Sequence, residues 1–256
     1  MDSSYRISIP LFSGLVTGGI RPGTIFAVEF DPESEWFSIA TTIVALLVRS
    51  NRQASYLAMA RPPADLGRDL TSLGVDVAAC KSEGLLRVND WYSPTLTGGR
   101  LQTTIGGILE KTLGEQRVNS LKVADLSVEW LRQSKESTES KKGGNEEGRL
   151  VVVESLSEVL RFNEEKPLVE WVVTRVYPEE RRVKHIALQG LITGIHSEWF
   201  YKRMEAASDG VIEVKVRDIE GEAKSYLRLR SLRGQPHDSR WHLVEIKPNG
   251  EAVLVS

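Results

Sequence analysis

From Thr24 to Val48 the chain reads as an apolar strand, TIFAVEF, a short polar loop, DPESE, and an apolar helix, WFSIATTIVALLV. A strand joined by a tight loop to an apolar helix is the opening unit of an α/β fold, and the segments after it keep alternating. ASYLAM (Ala54–Met59) reads as a second strand. PADLGRDLTSLG follows as an amphipathic helix, with Leu66, Leu70 and Leu73 on one face and Gly74 as its stop. GLLRVNDWY reads as a third strand, and residues 100–114 and 118–133 are helical by period. Leu150–Val153 and VKHIALQGLI are continuous apolar strands of a buried, largely parallel sheet.

The tail changes character. GVIEVKVRD, KSYLRLRSL and WHLVEIK alternate apolar and polar residues, with a turn at Glu220-Gly221, as antiparallel strands with one solvated face do. Between the two parts, residues 134–149 (SKESTESKKGGNEEGR) hold no large apolar side chain. Such a segment cannot bury enough surface to offset its ordering entropy, so a flexible surface insertion is expected within a single domain spanning 1–256.

Bulk properties narrow the function classes. A formal net charge of −2 argues against non-specific nucleic-acid or membrane-surface binding as the main activity. Cys80 is the only cysteine, which excludes a disulfide framework. The start, MDSSYRISIP, has no signal-peptide pattern, and the longest apolar run, Ile39–Val48, is about half a membrane span. A cytoplasmic location and no membrane association are expected. His185, His196, His237 and His242 show no ligand spacing, so neither a metal nor another cofactor is expected. GIHSEWF has no Gly-x-Ser-x-Gly elbow and no third group in view, which speaks against serine hydrolase chemistry.

Several segments in order resemble the KaiC-like branch of the RecA superfamily of ATPases, of the type common in archaea. They are SGLVTGGIRPGTIFAVE, LTSLGVDVAACKSEGLLRVNDWYS, LVVVESLSEVL, SDGVIEVKV and LRSLRGQPHDSRWHLVEI. The resemblance implies a RecA-like fold: a mostly parallel central sheet flanked by helices, with an antiparallel C-terminal strand extension. It also implies a phosphate-binding loop, G-x-x-x-x-G-K-[ST], whose backbone N–H groups and lysine hold a triphosphate. Here that loop reads Phe30, Asp31, Pro32, Glu33, Ser34, Glu35, Trp36, Phe37. The two glycines fall on Phe30 and Glu35, the lysine on Trp36, and the magnesium-side Ser/Thr on Phe37, with Ser38 adjacent. Asp31, Glu33 and Glu35 stand where phosphates would come, and like charges about 4 Å apart repel by about 4 kcal/mol even at a dielectric near 20.

Two more positions agree. The paired glutamates that follow the second strand in this family are replaced by Ala60-Arg61, and the Walker B aspartate position is Glu154. Glu154 reads either as a surviving metal-side acid or as a polar strand end capping the next helix. Trp36 reads as a plug in a vacated pocket or as an aromatic at a helix start.

No catalytic residue and no nucleotide-binding residue is therefore expected. The chain reads as a degenerate, inactive relative acting as a structural or regulatory binding partner, with itself or with an active RecA/KaiC-like paralogue. The alternatives are an accessory factor in DNA recombination or repair that touches single-stranded DNA, and a nucleotide-binding protein with an unconventional loop. In the basic tail, Arg228, Arg230, Arg233 and His237 are interface candidates. Arg233 matches an arginine that faces a neighbour's phosphates in the family, or else pairs with a carboxylate on its own sheet.

Overall fold

The computed structural model describes residues 6–93, 148–161 and 163–255. The helices expected over 100–114 and 118–133, and residues 134–147 of the expected insertion, lie outside the described residues. Among the described residues, nine strands form one sheet in the order β3-β2-β4-β5-β1-β6-β7-β8-β9. β1 (Ile25–Phe30), β2 (Ala54–Ala58), β3 (Leu86–Asp90), β4 (Leu150–Val153) and β5 (Ile186–Ile192) are mutually parallel, and β6 (Gly210–Ile219) joins β1 in parallel. β7 (Glu222–Leu232), β8 (His242–Ile246) and β9 (Ala252–Val255) then continue as an antiparallel extension. The architecture is the one expected, with β9 as an additional edge strand.

Each parallel strand divides its side chains between two cores. On one side Phe26, Val28 and Phe30 of β1 pack with α1 (Trp36–Arg49) and α2 (Pro63–Ser72). Ile39, Ala40, Ile43, Val44 and Leu47 recur at helical spacing on α1 and are all buried, at about 1.5–3 kcal/mol for each large side chain. α1 ends at Arg49, and Asn51 in the turn just beyond takes a left-handed φ of 57°. A short helix, α3 (Val77–Ser82), starts at Asp76, whose carboxylate caps Ala79 N–H at 2.9 Å.

On the other side Ile25 and Ala27 pack with α4 (Glu165–Trp171), α5 (Tyr177–Arg182) and α6 (Glu198–Ala207). Between α4 and α5 the chain widens into a π turn, Val172–Val176, just before Pro178, whose missing N–H cannot continue an α ladder. Arg149, which the sequence reading placed in the insertion, is instead buried. It reaches Gln53 Oε1 at 2.7 Å and so ties the start of β4 to the end of the α1–β2 turn. No helix among the described residues is long and apolar enough to cross a membrane.

The carboxyl ends of β1, β4 and β5 converge on Gly190. A Cβ there would overlap the Glu154 carbonyl oxygen and lie 2.9 Å from the Trp36 indole nitrogen. Gly190→Ala should therefore lower stability by about 2 kcal/mol or more, read as a fall in urea midpoint with unchanged slope.

Candidate functional site

The site lies where β1 and β4 end and α1 begins. β4 delivers Glu154, which is fully buried. Its Oε1 accepts from Tyr56 Oη at 2.9 Å and from Arg61 Nε at 2.7 Å. Its Oε2 accepts from the backbone N–H groups of Met59 at 2.8 Å and Ala60 at 2.9 Å. A carboxylate offers about four lone-pair sites, and these four donors fill them. Glu154 does not cap the following helical turn, as one sequence reading had it; the carboxylate turns back to the loop after β2. That loop is where the family resemblance would place paired glutamates, and here it supplies donors and a cation.

Arg61 extends the network. It is ion-paired to Asp69 on α2, donates to Thr41 Oγ1 on α1 at 2.7 Å, and lies 5.6 Å from the Phe37 ring centre. The guanidinium is held protonated despite its burial, through Tyr56 and Glu154. Burial and the Glu154 charge push the Tyr56 phenol up, which keeps it a neutral donor.

Trp36 is also fully buried. Its Nε1 donates to the Glu154 carbonyl at 2.8 Å, and its ring stacks on Phe30 with centroids 5.8 Å apart. Trp36 is an aromatic at the helix start, and its ring packs against Phe30 at the end of β1, the Glu154 carbonyl after β4 and Gly190 of β5.

The loop itself is pinned from within. Asp31 accepts from Thr193 Oγ1 at 2.6 Å and from Val216 N–H at 3.0 Å, while its own N–H goes to the Val214 carbonyl at 2.9 Å. Ser34 N–H closes a turn onto the Asp31 carbonyl at 2.9 Å, and Glu35 N–H goes to Ser225 Oγ at 3.1 Å. Pro32 has no N–H. Among loop residues 31–35, only Glu33 retains an amide without such a commitment. Glu35 receives Ser38 Oγ at 2.8 Å, and Glu33 is exposed.

The tail candidates do not gather in one place. Arg228 pairs with Glu213 and lies 4.4 Å from the Trp241 ring centre. Arg230 bridges Glu205 at 2.8 Å, Glu213 at 3.2 Å and Glu29 at 3.5 Å. Arg233 and His237 lie beyond β7, near the amino end of β1. Arg233 donates to the Ala206 carbonyl at 2.8 Å, at the end of α6, and among the described residues it pairs with no carboxylate of its own sheet; His237 Nδ1 meets the Gln235 carbonyl at 3.0 Å. Burial pushes Glu29 up to about 7 against the pull of Arg230, with Glu205 and Glu213 adding to the rise.

GIHSEWF does acquire a third group. His196 Nε2 is 2.8 Å from Ser157 Oγ, and Nδ1 is 3.6 Å from Glu165 Oε1. The serine is buried and its oxygen already accepts Ile192 N–H at 2.9 Å, so the trio clamps the ends of β4 and β5 to α4. Neither Tyr56 nor the role of Arg61 is evident from the sequence alone. The available signal was a cation at a position where the family resemblance predicts an acid, facing an acid at 154.

No protein-family model matches the chain, and no curated protein does. Among solved structures, the chain is similar to a KaiC-like protein from the hyperthermophilic archaeon Pyrococcus horikoshii. The match has a TM-score of 0.66 at 18% identity and covers 99% of this chain and 99% of that one. This chain has a KaiC-like fold. In this fold, Glu154 and the β1–α1 loop lie at the carboxyl ends of the central strands, where α/β sheets place their ligands.

Two outcomes follow from this geometry. Arg61→Ala should cost about 3 kcal/mol, because it strands the Glu154 charge, and should cost much less in a Glu154→Gln background; a double-mutant cycle in urea measures the coupling. Glu29 holds a proton in the folded chain that the unfolded chain loses above about 4.5, so stability should fall as pH rises from there to about 7. Glu29→Gln should flatten that slope and exceed the wild type at alkaline pH by about 2 kcal/mol, read by denaturation at acidic and alkaline pH.

Proposed function

We propose that this chain is a RecA/KaiC-like pseudo-ATPase that does not hydrolyse ATP. It acts as a structural or regulatory binding partner, in an assembly with itself or with an active RecA/KaiC-like paralogue. The observation that carries this reading is the saturation of Glu154: four internal donors occupy the carboxylate that would otherwise face a magnesium ion. Replacement of the loop lysine by a buried indole, and of the water-activating acids by Ala60-Arg61, supports it from the other sides of the site. Fold alone does not assign the role, so the weight rests on these residues.

A second reading, an accessory factor in DNA recombination or repair, draws on the cation–aromatic patch of Arg217, Arg228 and Trp241. It is the weaker reading, because base stacking needs an open ring face and Trp241 already has two guanidinium groups packed on it.

The test is a magnesium-dependent ATPase assay together with titrations of fluorescent ATP and labelled single-stranded DNA. The expected outcome is no turnover above background. Trp36→Lys should leave nucleotide affinity undetectable, since it restores neither the glycines nor a free acid at 154. Turnover that disappears in Glu154→Ala would reverse the assignment.

A further inference from the structure

β9 is the last strand of the sheet in spatial order, so one of its two hydrogen-bonding edges faces away from β8. Ala252 N–H is on that outer edge, because it donates to Thr42 Oγ1 on α1 at 2.8 Å and not to β8. Backbone groups alternate along an antiparallel strand, so Leu254 presents its N–H and carbonyl on the same edge. Among the described residues neither meets a backbone partner there. The strand reads Ala-Val-Leu-Val, with none of the lysine or proline that blunts an exposed edge.

This edge borders a cleft of about 500 Å³, a volume within the range of ligand sites. Ala252 and Leu254 pack toward the α1-side core, so Glu251 and Val253 point to the opposite face. Residues 251–254 nevertheless all line the cleft, which consecutive residues of a strand can do only along its edge. Pro10, Leu11 and Leu15, ahead of β1, bound the cleft too, together with Leu46 of α1. Asp238 N–H donates to the Leu15 carbonyl at 2.8 Å and so holds the tail before β8 against that segment. His242 of β8 is a further lining residue, and it is buried. Its Nε2 has no hydrogen-bond partner among the described residues, with Asp238 Oδ2 standing 3.5 Å away.

Unpaired backbone groups, an apolar lining and an unpartnered imidazole together describe an occupant. We infer that the outer edge of β9 takes an extended segment of another protein as an added strand. Main-chain bonds to Leu254 and to the Ala252 carbonyl hold the segment. Apolar side chains at alternate positions meet Leu11, Leu46 and Leu254, and a hydroxyl or amide side chain meets His242 Nε2. A lone extended segment fits, and the sheet edge of a second copy does not, because a sheet edge brings further strands behind it and residues 10–15 already bound the cleft. The inference goes beyond the pseudo-ATPase reading and holds whether or not ATP is hydrolysed.

The experiment selects random peptides displayed on phage against the full chain and measures the selected sequences as labelled synthetic peptides by fluorescence anisotropy. The Leu254 amide should exchange freely in the unbound protein and be protected when the peptide is bound. N-methylation of alternate peptide residues, which removes backbone donors and keeps every side chain, should weaken binding by about tenfold or more. Leu254→Pro removes the outward N–H at an edge position that tolerates proline, and should weaken binding as much with an unchanged melting temperature. His242→Ala should weaken it by about fivefold. Should Leu254→Pro prove unstable, the N-methylated peptides decide, since they leave the protein untouched. Failure to select any peptide, or binding indifferent to N-methylation, overturns the inference. So does a Leu254 amide already protected in the free monomer, or a wild-type dimer in sedimentation that Leu254→Pro splits, for the edge is then taken by the chain itself or by a second copy.

Discussion

The buried carboxylate of Glu154 organises the centre of this molecule. An ionised acid with no exposure is tolerated only when its acceptor sites are met, and each of the four donors comes from β2 or the loop after it. That requirement fixes the path of the chain from Tyr56 to Arg61. Arg61 then carries the constraint outward to Thr41 on α1 and Asp69 on α2. One charge thereby sets the mutual positions of two strands, a loop and two helices. The same residue's carbonyl receives the indole of Trp36, so the start of α1 is tied to the end of β4 by both its backbone and its side chain.

The loop after β1 solves a related problem by different means. A helix N-terminus concentrates unsatisfied N–H groups and positive dipole, which an anion usually meets. Here carboxylates of the chain itself stand beside that end, and one of them, Asp31, is fastened to Thr193 and Val216. The negative charge beside this helix end is permanent and covalently attached.

Much of the fold was legible because its signals are local. Continuous apolar runs marked β1, β4 and β5, and alternation marked β6 to β8. β9 was missed although Pro248-Asn249-Gly250 before it is a hairpin turn signal, because the strand is only four residues long, and the α4–α5 helix was missed because its period is interrupted at the π turn before Pro178. The acidic, glycine-free make-up of the loop was legible because it is a run of neighbours in sequence. The network around it was not. Arg61 and Glu154 are 93 positions apart, and Ser157, His196 and Glu165 meet only because β4 and β5 are adjacent. Arg228 and Arg230 were visible as basic residues, yet their acids at 29, 205 and 213 come from two other strands and a helix.

Gly190 has a consequence for substitution. Its missing side chain makes room for the Glu154 carbonyl and the Trp36 indole together, so positions 36 and 190 are coupled. A side chain at 36 that lacks the indole leaves a hollow beside Gly190 and removes the donor to the Glu154 carbonyl, while a side chain at 190 collides with both. Neither position changes alone without loss of packing, so the two vary as a unit.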